Sequence, residues 1–124
     1  MTAQSDTTYE ARRLLKRHFG FDSFRPGQEE ALQSVLDGRN VLAVMPTGSG
    51  KSLLYQLPAL RDDGLTIVVS PLIALMKNQV DELTARGYPA TFINSSLIHE
   101  QQRERIDACV AGKVKLLYVA PERF

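Results

Sequence analysis

Apolar residues recur along the chain with two different periods, and these periods predict its secondary structure. Five segments place apolar residues three or four positions apart, the spacing of an amphipathic helix: 9–19, 26–37, 51–60, 72–86 and 98–111. Four shorter segments are nearly continuously apolar, as buried strands are: 40–45, 65–70, 90–94 and 114–120. The first eight residues are polar, and we expect a disordered tail at 1–8.

Glycine, proline and serine mark the predicted boundaries of these elements. Four helical segments are followed by a glycine that suits the end of a helix: Gly20, Gly38, Gly87 and Gly112. Pro26 stands where a helix begins, and Pro58 falls inside a helical segment, where it predicts a kink or an end. Ser95 and Ser96 are candidate caps for the last helix, and Pro121 ends the last strand.

The order of elements predicts an α/β fold. After two leading helices, strands and helices alternate, and strands that are apolar on both faces indicate a parallel sheet covered by helices on both sides. Right-handed crossovers bring the ends of parallel strands to one edge of the sheet. We therefore expect the loop after residue 45 and the residues following Ser70, Asn94 and Ala120 at that edge.

Composition narrows the class of protein without identifying it. The chain has 124 residues, 44% of them hydrophobic and 23% charged, as expected for one globular domain. A net charge of +1 does not argue for or against nucleic acid. The single cysteine, Cys109, excludes an internal disulfide and is predicted to be a buried structural residue. Without an apolar run long enough for a leader or a membrane span, we expect an intracellular, soluble protein.

The segment 45–52, Met-Pro-Thr-Gly-Ser-Gly-Lys-Ser, lies between a predicted strand and a predicted helix, the setting of a phosphate-binding P-loop. Gly48 and Gly50 allow the backbone to turn so that several N–H groups face phosphate oxygens. Lys51 is placed to reach the β- and γ-phosphates, and the Ser52 hydroxyl to bind Mg²⁺. Met45 stands where the strict pattern has glycine, and the alternative is an ordinary glycine-containing turn.

Charged helical faces allow two interpretations. The first helix carries four basic residues on one side: Arg12, Arg13, Lys16 and Arg17. A solvated face is the simpler interpretation, and contact with a phosphate backbone is the sharper one. His18 lacks a second ligand at helical spacing, so we interpret it as a surface residue. We interpret His99 and the charges at 100–107 as an exposed helical face.

Four stretches together resemble RecQ-type DNA helicases of superfamily 2, over about residues 10–124. Phe19-Gly20-Phe21 with Phe24-Arg25-Pro26-Gly27-Gln28 resembles their extra N-terminal motif. The loop at 45–52, with Met45 as in the family, resembles helicase motif I, and 69–76 resembles motif Ia. Residues 117–124 are similar to the segment that precedes the family's DEAH box.

This resemblance implies an ATP site with Mg²⁺. Gln28 would read the adenine edge through its amide, with Phe21 and Arg25 stacking on the base. Four loop residues would surround the phosphates: Thr47, Gly48, Ser49 and Gly50. Lys51 would be the catalytic residue and Ser52 the metal ligand. The plainer alternative for Gln28 is a solvated residue in a first helical turn.

The resemblance also implies contacts with single-stranded and duplex DNA. Six candidates follow from motif Ia and the later strand ends: Ser70, Pro71, Leu72, Asn94, Ser95 and Arg123. For Ser70 and Pro71 the alternative is that they simply end a strand and open a helix. No protein partner follows from the resemblance.

The resemblance predicts that 9–124 is a partial, truncated first RecA-like helicase lobe. Pro121 separates Glu122 from the last strand, so Glu122 is not assigned to Mg²⁺, and the family's Asp-Glu-Ala-His box would come later. The leading interpretation is an ATP-dependent 3′-to-5′ DNA helicase whose isolated piece is inactive. A non-catalytic nucleotide- or DNA-binding lobe and a P-loop kinase for a small molecule remain alternatives.

Overall fold

The computed structural model describes residues 3–45, 50–61 and 64–123. The chain divides into two compact units, Met1–Arg61 and Asp62–Phe124. The first holds helices, and the second holds a sheet with its own helices.

The first unit contains α1 (Ala3–Phe19), α2 (Gln28–Leu36) and α3 (Leu53–Arg61). Their apolar stripes meet in one core, which comprises Ala11, Leu14, Leu15, Leu32, Leu36, Leu53 and Leu57. These positions lie three or four residues apart within each helix, so each helix turns one face inward. Arg61 adds polar contacts to this core, 3.3 Å from the Glu10 carboxylate and donating to the Leu36 carbonyl oxygen at 3.3 Å.

The helix boundaries differ from the sequence-based ones at the starts of α1 and α2. The helix α1 begins at Ala3, so residues 3–8, expected in a disordered tail, are helical; they include no proline or glycine to stop a helix. The helix α2 begins at Gln28, because Gly27 at its N-cap has a left-handed φ of 86°. Pro26 therefore lies in the preceding turn. Pro58 does not end α3, which continues to Arg61.

The prediction of a strand at 40–45 is wrong for this structure. Residues 40–45 carry no strand, and the side chains of Leu42 and Val44 are 91% and 89% exposed. An apolar, extended segment becomes a strand only when a neighbouring strand accepts and donates its main-chain hydrogen bonds. The local pattern specifies the conformation but not that partner.

The second unit is built on a three-stranded sheet. Its elements are β1 (Thr66–Val69), α4 (Ile73–Ala85), β2 (Ala90–Ile93), α5 (His99–Val110) and β3 (Leu116–Val119), followed by a 3₁₀ turn, Pro121–Arg123. The strand order is β1-β3-β2 and both pairings are parallel. The parallel α/β class is thus confirmed, with three strands in the described residues where four were predicted. All four residues of the central strand β3 are buried.

The helices of this unit contact the sheet in different ways. The helix α4 buries Met76, Val80 and Leu83. The helix α5 has no buried residue of its own, but Arg105 donates to the Phe92 carbonyl oxygen at 2.7 Å and lies 4.5 Å over the Phe92 ring.

The start of α5 corrects a cap prediction. Its N-cap is Ile98, whose N–H donates to Gln101 Oε1 at 3.2 Å. Ser95 and Ser96 are therefore not its caps. They lie in the turn that follows β2.

Candidate functional site

The C-terminal end of the predicted phosphate loop opens the helix α3. Gly50 has a φ of 80°, which an L side chain rarely adopts. Lys51 and Ser52 form the turn that follows it: the Leu54 N–H donates to the Lys51 carbonyl oxygen at 3.0 Å, and the Gln56 N–H to that of Ser52 at 3.0 Å. The Lys51 side chain is exposed. The predicted phosphate-binding residues Thr47, Gly48 and Ser49 lie outside the described residues.

Gln28 joins this loop to the segment before α2. Its side chain is 2% exposed; Oε1 accepts from the Arg25 N–H at 2.8 Å, and Nε2 donates to the Gly50 carbonyl oxygen at 3.0 Å. A Cβ built on Gly50 would collide with the Gln28 amide nitrogen. At the other end of the loop, Met45 Cε lies 3.8 Å from where a Cβ on Gly27 would stand. The 25–28 segment thus bonds to Gly50 at one end of the loop and lies near Met45 at the other.

This contact bears on the predicted adenine site. Phe21 is 54% exposed and Arg25 is exposed, as residues that stack on a ligand can be in its absence. Both ends of the Gln28 amide, however, already bind main chain. Reading an adenine edge would therefore require Gln28 to exchange part of these bonds. The alternative of a solvated Gln28 is wrong, because the side chain is buried.

The ends of the three strands lie side by side, as predicted from the crossover rule. Val69 and Ile93 are both in register with Val119, and the Ser70 N–H donates to the Val119 carbonyl oxygen at 3.0 Å. Ser70 and Asn94 therefore flank the end of β3 at the carboxyl edge of the sheet.

Ser70 has a local structural role at this edge. Its Oγ accepts from the Leu72 N–H at 3.1 Å, in the turn that leads into α4. This is the arrangement expected if Ser70 and Pro71 end a strand and open a helix. Pro71 and Leu72 are exposed there, Leu72 to 56%.

Asn94 organises the turn after β2. It is 4% exposed, and its Oδ1 accepts from both the N–H (2.8 Å) and the hydroxyl of Ser96. Its Nδ2 lies 3.7 Å from Met76 Sδ. An Asn followed two residues later by Ser is typical of a turn, whereas the resemblance assigns Asn94 to DNA contact and the sequence pattern makes Ser96 a candidate cap. Ser95, between them, is exposed.

The remaining charged groups add little to this edge. Glu122 is exposed in the 3₁₀ turn with Arg123, whose side chain lies outside the description. Among the described residues, no three His, Cys, Asp or Glu side chains are grouped as a metal site would require.

Cys109 is partly buried against the Ile93 cluster, and this burial raises the pKa of its thiol. No helix in the described ranges is both long and apolar enough to cross a bilayer.

Comparison with known proteins identifies the family. Residues 25–124 match the DEAD/DEAH box helicase family. The chain is 56% identical over 110 residues to "ATP-dependent DNA helicase RecQ" of Haemophilus influenzae, covering 89% of this chain and 18% of that protein. It is 47% identical over 116 residues to the RecQ helicase of Bacillus subtilis, covering 93% and 20%. With "ATP-dependent helicase SGS1" of Saccharomyces cerevisiae it shares 43% identity over 108 residues, covering 84% and 8%.

The chain thus spans about a fifth of the length of the bacterial relatives. The match to a helicase family argues against the alternative of a P-loop kinase for a small molecule. The chain belongs to the DEAD/DEAH box helicase family, and over most of its length its sequence is similar to that of RecQ helicases.

Proposed function

We propose that the protein containing this chain is an intracellular ATP-dependent DNA helicase of the RecQ type, which couples ATP hydrolysis to 3′-to-5′ unwinding. This chain would supply the nucleotide-binding part of its first RecA-like lobe. One observation carries the proposal: the buried Gln28 amide bonds to the Gly50 carbonyl oxygen at 3.0 Å. That bond links the family's N-terminal motif to its phosphate loop.

The residues present fit an ATP site. Gly50 has a left-handed φ that suits such a loop, and a Cβ there would collide with the hydrogen-bonded Gln28 amide nitrogen. Lys51 would bind the β- and γ-phosphates and Ser52 would bind Mg²⁺, with main-chain N–H groups of 47–50 around the phosphates. Mg²⁺, when bound, supplies positive charge that offsets the charge of the phosphates. Gln28, Phe21 and Arg25 would hold the adenine.

We further propose that the carboxyl edge of the sheet contacts DNA. The adjacent ends of β1, β2 and β3 support this, because they gather exposed groups at one edge. The DNA strand would directly contact the exposed residues Pro71, Leu72 and Ser95, and Arg123 would add a positive charge. Ser70 and Asn94 would act mainly by shaping the turns on which these groups stand, since their polar atoms already serve those turns.

The test is DNA-stimulated ATP hydrolysis and duplex unwinding by the full-length protein carrying Lys51→Ala. Loss of the phosphate-binding ammonium should lower both activities by about 100-fold or more. Lys113→Ala, which removes another exposed lysine, is the matched control and should retain activity.

Two results would contradict the proposal. One is full unwinding activity in the Lys51→Ala variant. The other is nucleotide binding without hydrolysis by the unaltered protein in the presence of DNA, which is the behaviour of a non-catalytic lobe.

A further inference from the structure

One face of α1 carries an aromatic and basic stripe that the nucleotide site does not use. Its members lie on successive turns: Tyr9, Arg12, Arg13, Lys16 and Arg17. With Asp22 they line an open groove of about 430 Å³. The opposite face of α1 is in the core through Ala11, Leu14 and Leu15, so the stripe faces away from that core.

The stripe concentrates positive charge in a chain that is nearly neutral overall. Four cations fall within the six residues 12–17, whereas the whole chain has a net charge of +1. Arg12 pairs with Glu29 at 3.1 Å and Lys16 with Asp22 at 2.9 Å, and the Asp22 carboxylate raises the pKa of Lys16.

The other two cations of the stripe are differently placed. Arg13 and Arg17 are exposed, and neither engages an acidic side chain within the part of the chain that the structure describes. The groove therefore keeps two cations that an external anion can bind.

The combination of residues selects the kind of anion. Tyr9 lies at one end of the row of cations and is 69% exposed. Its aromatic ring is therefore open to solvent, where it is available to a ligand. Surfaces for single-stranded nucleic acid combine cations that follow the phosphates with aromatic rings on which bases stack. In a duplex, paired and stacked bases would leave the Tyr9 ring without a partner.

We propose that this stripe is a second contact for single-stranded DNA, in which Arg13 and Arg17 bind backbone phosphates and Tyr9 stacks on a base. The inference rests on the DNA-binding part of the proposed function and needs neither nucleotide nor hydrolysis.

The test measures how the full-length protein binds a fluorescein-labelled oligothymidine, by fluorescence anisotropy without nucleotide and across a series of salt concentrations. The double variant Arg13→Gln/Arg17→Gln should bind about tenfold more weakly. The slope of log affinity against log salt should decrease in magnitude by about 1.4, that is, about 0.7 for each lost phosphate contact. Arg103→Gln, which removes an exposed arginine from α5, should leave affinity and slope unchanged.

Substitutions at Tyr9 distinguish the contribution of base stacking from that of charge. Tyr9→Ala should weaken binding about fivefold with little change in the salt slope, because the ring carries no charge. Tyr9→Phe keeps the aromatic face and should bind as the unaltered protein does.

Three results would overturn this inference. The first is unchanged affinity and slope in the double variant; if DNA still stimulates ATP hydrolysis, the proposed function stands while the stripe does not bind DNA. The second is a polyglutamate peptide that competes as well as oligothymidine of equal charge, which would assign the groove to acidic protein segments. The third is the absence of any oligothymidine binding by the unaltered protein, which would also contradict the proposed function.

Discussion

At the scale of single residues, the contact between Gln28 and Gly50 carries the most information. Buried amides are costly unless both ends are bonded, and Gln28 satisfies this by bonding to Arg25 and Gly50. Glycine at position 50 is needed twice, once for its φ of 80° and once for the space that Gln28 occupies. A residue proposed to read adenine is therefore also a structural support of the phosphate loop.

A comparison of Gly50→Ala with Gly38→Ala should separate these two requirements. We expect it to lower the free energy of unfolding by about 2–4 kcal/mol, from a strained φ and from the collision with Gln28. Gly38→Ala is the matched control, since Gly38 has a φ of 82° but open space around its Cβ position, and it should cost only about 1 kcal/mol. Urea unfolding measures both, and equal costs would mean that Gln28 does not constrain the loop.

At the scale of elements, the connections determine what the sheet edge can present. The turn after β2 depends on Asn94, whose buried amide bonds to Ser96, and the turn after β1 on the Ser70 hydroxyl. The resemblance predicts both residues as candidates for DNA contact. Their observed role is to hold neighbouring residues in place.

Asn94→Ala should cost about 1–3 kcal/mol of unfolding free energy, because it leaves the Ser96 N–H without its acceptor and opens a small cavity beside Met76. Ser95→Ala, at the next, exposed position, should change stability by less than about 0.5 kcal/mol. Thermal and urea unfolding of the two variants give the comparison. If Ser95→Ala were the more costly change, the turn would not depend on Asn94.

At the scale of the whole molecule, one face of the edge strand β1 presents apolar surface. In β1, Ile67 and Val69 alternate with the less exposed Thr66 and Val68, and they are 53% and 55% exposed. Leu72 and Leu75, just beyond the strand, are exposed as well, at 56% and 47%. This departs from the prediction of a sheet covered on both sides, and such surfaces favour self-association.

Ile67→Thr/Val69→Thr should therefore reduce self-association of the 124-residue chain, measured by sedimentation velocity, while changing its unfolding free energy by less than about 1 kcal/mol. Leu116→Thr alters the central strand at a fully buried position and should instead cost about 2–4 kcal/mol. A chain that sediments as a monomer before any substitution would contradict the expectation of association.

The sequence by itself determined what depends on near neighbours. The five helices follow from apolar spacing, and Gly38, Gly87 and Gly112 each take a positive φ just after a helix, as predicted. The parallel class followed from the alternation of elements, and the phosphate-loop motif from eight consecutive residues.

Only the tertiary structure decided what depends on partners distant in the chain. Pairing placed β3 between β1 and β2 and left 40–45 without a ladder, although the apolar runs look alike in sequence. Packing turned Gln28 towards Gly50, 22 residues away, and buried Asn94 beside Met76. The physical reason is that periodicity records which face of an element is apolar, whereas a buried polar group or a strand edge is satisfied by whichever partner the fold brings to it.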